Sequence, residues 1–186
     1  MHCLFFDVVP KAGKLADYFT HVDVLKPRLE RHKGLIYLER FRPLDDPDAL
    51  LSHQLWKDEG AIDAWRRDSS HQQSQIAGRR EIFQDYRIRV GQQALERPGS
   101  GNLAGTGNRY IVASYGNAVT AHGGRAYESI TRPDFFVTLG EATDPATATD
   151  LAERAVEGGA ETVRVFAVHR DYSMTERNEA PQIGKS

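Results

Sequence analysis

The sequence predicts an α+β fold in which two ferredoxin-like split β-α-β units place their sheets face to face and form a barrel. Two observations lead to this prediction. The elements of the first half follow the order β-α-β-β-α-β, and residues 124–133 repeat the pattern of residues 34–43. A split β-α-β sheet has helices on one face only, and a second such sheet can bury the other face.

The first half, residues 1–90, supplies one complete unit. Runs of apolar, β-branched and aromatic residues predict strands at 3–9, 35–41, 50–56 and 86–90. Apolar residues at three- and four-residue steps predict a helix after the first strand, and Pro27 should kink it or start a second segment. Asp58 is expected to cap the next helix, and Ser69 and Ser70 to break it and cap a shorter helix that extends to Phe83.

The second half is predicted to be a degenerate copy over residues 109–174. Gly, Tyr, Arg and Pro of GRAYESITRP match GLIYLERFRP of the first half. A strand at 109–115, a strand at 135–142, a helix at 144–159 with Leu151, Ala155 and Val156 inward, and a strand at 162–172 follow the same order, whereas the first helix has no counterpart. Residues 91–108 predict a Gly/Pro-rich mobile linker, and residues 175–186 a polar, disordered tail.

The composition excludes several classes of function. A formal net charge of −2 gives no general attraction for nucleic acid or an anionic membrane. No apolar run approaches the roughly 20 residues of a membrane span, and the first residues do not resemble a signal peptide. The single cysteine, Cys3, rules out a disulfide within the chain, is expected to be a buried thiol, and favours the cytoplasm.

The segment from residue 50 to residue 90 contains both tryptophans and one candidate base, His71. Trp65 lies on an apolar helical face, where it either packs in the core or forms a pocket wall. Trp56 ends a strand and has the same two interpretations. His53 alternates with leucines along its strand, which makes it either a hydrogen-bonded core histidine or a pocket residue.

Asp7 interrupts an apolar strand, and this position needs an explanation. Burying a carboxylate costs several kcal/mol unless the group has a partner. An ion pair with an arginine such as Arg40 or Arg89 is the favoured explanation. A catalytic base, or the end of the buried part of the strand, are the alternatives.

Residues 3–90 resemble the antibiotic biosynthesis monooxygenase family, a member of the dimeric α+β barrel superfamily. The resemblance rests on FFDVVPKAGKLADYF, on GLIYLERFRPLDDP, and on LLSHQLWKDEGAIDAWRRDSSHQQSQIAGRREIFQDYRIRV. The second half matches this pattern poorly and has neither tryptophan.

The resemblance implies an oxygenase that acts on a small aromatic or polyketide-like substrate with dioxygen and without metal or flavin. Members of the family convert anthrones and related phenols to quinones with a helix Trp and a polar ring residue further along the chain. His71 and Trp65 occupy comparable places, and Arg79 follows about two turns after His71. The expected catalytic residues are therefore His71, Trp65 and Arg79. The expected substrate-binding residues are Trp56, His53, Tyr37 and Asp7.

Two other functions stay open. Some family members bind and degrade haem with an Asn on the first strand, whereas this chain has Phe6 and Asp7 there. The third possibility is a barrel that binds a small ligand without catalysis. The seven histidines show no close metal-ligand spacing, so no metal site is predicted. The barrel is expected to close either in a homodimer or within one chain as a pseudo-dimer.

Overall fold

A computed structural model describes residues 1–99, 101–103 and 107–181. These residues form eight strands, four α-helices and one π-helical turn. In chain order they are β1 (His2–Pro10), α1 (Leu15–Glu30), β2 (Leu35–Pro43), β3 (Leu50–Trp56), α2 (Glu59–Arg66), α3 (Ser69–Ala77), the π-turn (Gly78–Ile82), β4 (Phe83–Arg97), β5 (Tyr110–Gly116), β6 (Arg125–Ser129), β7 (Phe136–Ala142), α4 (Pro145–Glu157) and β8 (Thr162–Ser173).

The eight strands form one closed barrel in the order β1-β3-β2-β6-β7-β5-β8-β4. The first half contributes β4-β1-β3-β2, and the second half contributes β8-β5-β7-β6, which is the same order. Two antiparallel seams join the halves: β2 pairs with β6, and β4 pairs with β8. The predicted α+β class with two split β-α-β units is confirmed, and the barrel closes within one chain.

The barrel interior is an apolar core that both halves build together. Successive side chains of a strand point to opposite faces, so every second residue of each strand points inward. Phe5, Phe41 and Leu51 from the first half meet Ile111 and Phe166 from the second, and all five are buried. Because each half lacks a core on this face without the other, the two halves should unfold together.

Helices cover the outer faces of the two sheets. On the second sheet, α4 packs four buried residues against β5 and β8: Ala148, Leu151, Ala152 and Ala155. Val156, which was expected to point inward, is exposed. On the first sheet, residues of α1 and α2 pack around Trp56 and Val90. Gly34 lies at the start of β2 against Ala61 of α2, where a side chain would overlap the alanine.

Several predicted helix boundaries differ from the structure. The prediction of a second segment at Pro27 is wrong, because α1 continues through it. Pro27 and Asp23 are both exposed, so water can satisfy the carbonyl of Asp23 that the proline leaves without a donor. Asp68 rather than a serine caps α3, since its carboxylate accepts from the His71 N–H at 3.0 Å. Phe83 begins β4 after the π-turn instead of extending the helix.

The predicted linker starts too early, and the predicted tail is folded over most of its length. β4 continues to Arg97 and pairs with β8 from Gly91 onward, where Leu95 is buried beside α4. In the tail, the Glu179 carboxylate accepts from the Arg109 guanidinium at 3.0 Å, so disorder is wrong for residues 175–181. Residues 100, 104–106 and 182–186 lie outside the described part of the chain.

Replacing Leu51 by alanine should lower the free energy of unfolding by about 2–5 kcal/mol, because it leaves a cavity in the shared core. Leu44→Ala is the matched control, since Leu44 is 53% exposed and should cost less than about 0.5 kcal/mol. Urea denaturation followed by fluorescence and by circular dichroism measures both. Coincident transitions are expected, and separate transitions for the two halves would contradict a shared core.

Candidate functional site

The indole of Trp65 and the imidazole of His71 form a stacked pair beside the outer face of the first sheet. Trp65 lies near the end of α2 and is 4% exposed, and His71 lies in the first turn of α3. The ring centroids are 4.5 Å apart, and the ring planes differ by 17°. The cap at Asp68 fixes the start of α3, and therefore the direction of the imidazole.

The hydrogen bonds of His71 determine which ring nitrogen carries its proton. Nδ1 lies 3.0 Å from the backbone carbonyl oxygen of Trp65, and a carbonyl can only accept. Nδ1 therefore donates, and in the neutral ring the lone pair is on Nε2. The side-chain nitrogen of Gln75 is 3.5 Å from Nε2, at the outer limit of a hydrogen bond.

Burial lowers the pKa of His71 below its ordinary value of 6.5, because a charged ring loses hydration there. The Trp65 carbonyl and the Asp68 carboxylate act in the opposite direction without cancelling this effect. The ring is therefore neutral at pH 7. A neutral imidazole with its lone pair on Nε2 can accept a proton, which is what a general base requires.

A row of polar side chains on β3 lies on the same face of the sheet as this pair. Trp56 donates from its indole nitrogen to the Gln54 side-chain oxygen at 3.0 Å, and Gln54 donates to the Ser52 hydroxyl at 3.3 Å. All three side chains are buried. The His32 ring lies edge-on to Trp56, with centroids 5.2 Å apart, and 6.4 Å from Trp65.

Ser52, Gln54 and His32 were not among the site residues that the sequence predicted. A signal for the first two was present in LLSHQLW, where three consecutive polar residues stand between leucines in a strand that is buried on both faces. Buried polar side chains usually have at least one hydrogen-bond partner, and here the side chains of this row are partners of one another. His32 follows α1 in the loop before β2, and only the fold brings it to the tryptophans.

Arg79 lies in the π-turn that follows α3. Its Nε donates to the backbone carbonyl of Gln75 at 3.2 Å, and the Gln75 side chain is the one that approaches His71. Gln75 thus contacts both His71 of α3 and Arg79 of the π-turn. π-turns inside or at the end of helices are frequent at functional sites.

The other expected substrate-binding residues lie on the opposite face of the sheet. His53 points into the barrel, where its Nε2 is 2.7 Å from the Tyr115 hydroxyl and its ring stacks on Phe5 at 4.3 Å. Burial lowers the pKa of His53 to about 3, so the ring is neutral. Tyr37 lies 5.5 Å from His53 between ring centroids, and burial raises the pKa of its hydroxyl.

Asp7 also points into the barrel, and the predicted ion pair is confirmed with Arg89. The Arg89 guanidinium donates to Asp7 at 2.7 Å, and the Tyr127 hydroxyl donates to the other carboxylate oxygen at 3.2 Å. Cys3 is fully buried on the same face, and burial raises the pKa of its thiol, as a structural thiol requires. The structure therefore groups Trp56, Trp65 and His71 on the helix-covered face of the sheet.

The described part of the chain comprises residues 1–99, 101–103 and 107–181. Within these ranges, no three side chains of His, Cys, Asp or Glu are grouped so that they could hold a metal ion. Within the same ranges, no helix has both the length and the apolar composition needed to cross a bilayer.

Two solved structures illustrate the similarity of fold. One is a Deinococcus radiodurans protein described as a candidate antibiotic biosynthesis monooxygenase, which is 15% identical, covers 56% of this chain and 100% of that one, and gives a TM-score of 0.46. The other is an anthrone oxidase-like protein, which is 9% identical, covers 97% of this chain and 96% of that one, and gives a TM-score of 0.43. Neither score supports a statement about activity.

Sequence comparison is more specific. Jasmonate monooxygenase ABM of Pyricularia oryzae is 33% identical over 92 residues, which cover 50% of this chain and 43% of that protein. The chain thus spans less than half the length of this relative. The family model for the antibiotic biosynthesis monooxygenase domain matches residues 1–75, which include β1 to β3, α1, α2, Trp65 and His71. The first 75 residues are therefore similar to the domain of this family, and the rest of the chain lies outside the match.

Proposed function

We propose that this protein is a monooxygenase that oxidises a small aromatic or polyketide-like substrate with dioxygen, with His71 as the base. The observation that supports this proposal is the stack of a neutral, partly buried imidazole on Trp65 in the region that matches the family model. The hydrogen bond from Nδ1 to the Trp65 carbonyl leaves the lone pair of Nε2 available for a proton.

The proposed chemistry needs only a base, hydrogen bonds for the anion and a dry surface. Nε2 of His71 takes a proton from an acidic methylene or phenol of the substrate. The resulting anion gives one electron to dioxygen, and the radical pair combines to a peroxide. The peroxide eliminates water as His71 returns its proton, so a methylene and dioxygen become a carbonyl and water.

The remaining side chains of this face have supporting roles in the proposal. In the proposal, a planar substrate stacks on Trp65, and the fully buried Trp56 packs in the same cluster behind it. Arg79 stabilises the substrate anion, and its bond to the Gln75 carbonyl fixes the guanidinium relative to α3. His53, Tyr37 and Asp7, which were expected to bind substrate, lie across the sheet from His71, so the proposal gives them no contact with the reacting atoms.

The choice of test substrates follows from the antibiotic biosynthesis monooxygenase family and from the relative in Pyricularia oryzae. The Pyricularia oryzae protein is named as a jasmonate monooxygenase, and its matching region covers half of this chain. A suitable panel therefore contains anthrones, hydroquinones and jasmonate. Activity on one of these classes would identify the substrate chemistry.

Replacing His71 by glutamine should reduce substrate-dependent oxygen uptake by about 100-fold or more, because general-base catalysis contributes about 10²–10⁴-fold. An oxygen electrode measures uptake by the metal-free protein. His169→Gln is the matched control, since His169 is partly exposed on β8 beside Glu59 and should keep full activity. Equal uptake by both variants, or no uptake with any substrate, would contradict the proposal.

Haem binding is the alternative that uses the same nitrogen. We propose that the reaction needs neither metal nor flavin, and a haemin titration tests this point. A Soret shift that His71→Gln abolishes would favour the haem alternative. If substrate binds without oxygen uptake and no Soret shift occurs, the chain is a non-catalytic ligand-binding barrel.

The acid limb of the rate–pH profile should have its midpoint below 6.5. Burial lowers the pKa of His71, so the ring stays deprotonated and active at pH values where an exposed histidine would be charged. The rate should therefore be constant above pH 7 and fall only in the acid range. In Trp65→Ala, water reaches the ring and the midpoint should move up towards 6.5. An unchanged midpoint in that variant would argue against His71 as the base.

We also propose that the protein acts in the cytoplasm and that two closed barrels associate as a homodimer. The reducing cytoplasm suits a chain whose single thiol, Cys3, is buried and free. Because each barrel already closes within one chain, such a dimer must use the outer surface. Analytical ultracentrifugation distinguishes the monomer from the dimer.

A further inference from the structure

A cavity lies at one end of the barrel, where side chains of β1 and β4 of the first half approach those of β6 and β7 of the second. Its volume is about 290 Å³, close to the lower end of the range for small-molecule sites. The walls combine charged and apolar side chains from both halves. The residues that carry the argument are Asp7, Arg87, Arg89, Leu139 and Glu141.

Arg89 is the buried charge of this cavity. Its side chain is 5% exposed, and its two terminal nitrogens donate to Asp7 and to Glu141, each at 2.7 Å. Its Nε is buried and has no hydrogen-bond partner among the described residues. A buried guanidinium requires anions in fixed positions, and this one still has a free donor.

Arg87 lies two residues away on the same face of β4. Its guanidinium makes two bonds to Asp171, at 2.7 and 2.9 Å, and a third to Glu141 at 2.9 Å. Each arginine thus has one carboxylate of its own, Asp7 for Arg89 and Asp171 for Arg87. Glu141 is the carboxylate that the two arginines share.

Glu141 differs from the other two carboxylates in its exposure. Its side chain is 53% exposed, whereas Asp7 is 23% and Asp171 is 18% exposed. A half-exposed carboxylate at the end of a flexible side chain is held weakly, because water competes with its ion pairs. Removing it would leave both arginines with a neutralising partner and would free the position between them.

We propose that this end of the barrel binds a small monocarboxylate with an apolar body, whose carboxylate takes the place of Glu141 against Arg87 and Arg89. Arginine donors match the geometry of a carboxylate, and a pair of arginines can hold both of its oxygens. Leu139 and Val9 line the cavity and accept the apolar body.

The charges at the rim limit the ligand to a single negative charge. Arg125 lines the cavity from β6, and Asp45 already pairs with it at 2.8 Å. Asp85 lines the rim and is exposed, so a second negative charge on the ligand would be repelled there. This site is separate from the Trp65–His71 pair and does not depend on the proposed function.

The test compares hexanoate with hexanamide, which has the same apolar body but no charge. Isothermal titration calorimetry of Glu141→Ala should show hexanoate binding at least tenfold tighter than in the unmodified protein, because the competing carboxylate is gone. Hexanamide should not bind. The added substitution Arg87→Met should abolish the hexanoate signal.

Glu128→Ala is the matched control, since Glu128 is an exposed glutamate on the neighbouring strand β6. It should bind hexanoate as the unmodified protein does. If Glu141→Ala does not fold, Glu141→Gln removes the charge and keeps the shape. Equal hexanoate affinity with and without Glu141, or equal binding of hexanamide, would overturn the proposal. Oxygen uptake does not enter this test, so the two proposals can fail separately.

Discussion

The burial of the inner faces of two sheets against each other is the constraint on which the rest of this structure depends. Phe5 and Leu51 of the first half are buried on this face by Ile111 and Phe166 of the second half. The seams between β2 and β6 and between β4 and β8 satisfy the backbone groups that two separate sheets would leave at their edges. One chain thereby contains a complete closed barrel.

The first sheet separates two chemical environments. On its helix-covered face, Trp65 and His71 stack beside the row of Ser52, Gln54 and Trp56. On its inner face, the partners of the buried polar groups come mainly from the second half. Tyr115 bonds to His53, and Tyr127 bonds to Asp7. The second half therefore supplies hydrogen-bond partners to the polar groups inside the barrel, although it carries neither tryptophan.

The separation of the two faces by the first sheet explains why one barrel can hold both proposed sites without shared residues. The pair at Trp65 depends on α2 and α3, and its tryptophan packs in the cluster on the outer face of the first sheet. The carboxylate position between Arg87 and Arg89 depends on Glu141 of β7, and it exists only because the two halves close together. Because side chains alternate along β1 and β4, these two strands contribute residues to both faces of the first sheet.

The sequence by itself determined the α+β class, the order of the strands, the cap at Asp58 and the need for a partner at Asp7. These features follow from local patterns, because alternation, helical periodicity and turn residues act over a few positions. The end of β4 at Arg97, the cap at Asp68 and the folded segment 175–181 could not be read in this way. The polar residues of these segments are equally compatible with a loop, with a paired strand and with a segment fixed by long-range contacts. Local patterns therefore do not distinguish these structures.

Only the tertiary structure decided which face of the sheet each candidate residue occupies. His53 and Trp56 are three positions apart in one strand, and the sheet places them on opposite sides. The sequence also could not select Tyr115 as the partner of His53 or Glu141 as the partner of Arg89, since 62 and 52 residues separate these pairs. Such contacts depend on how the two halves meet, and that is determined by the packing of the whole barrel.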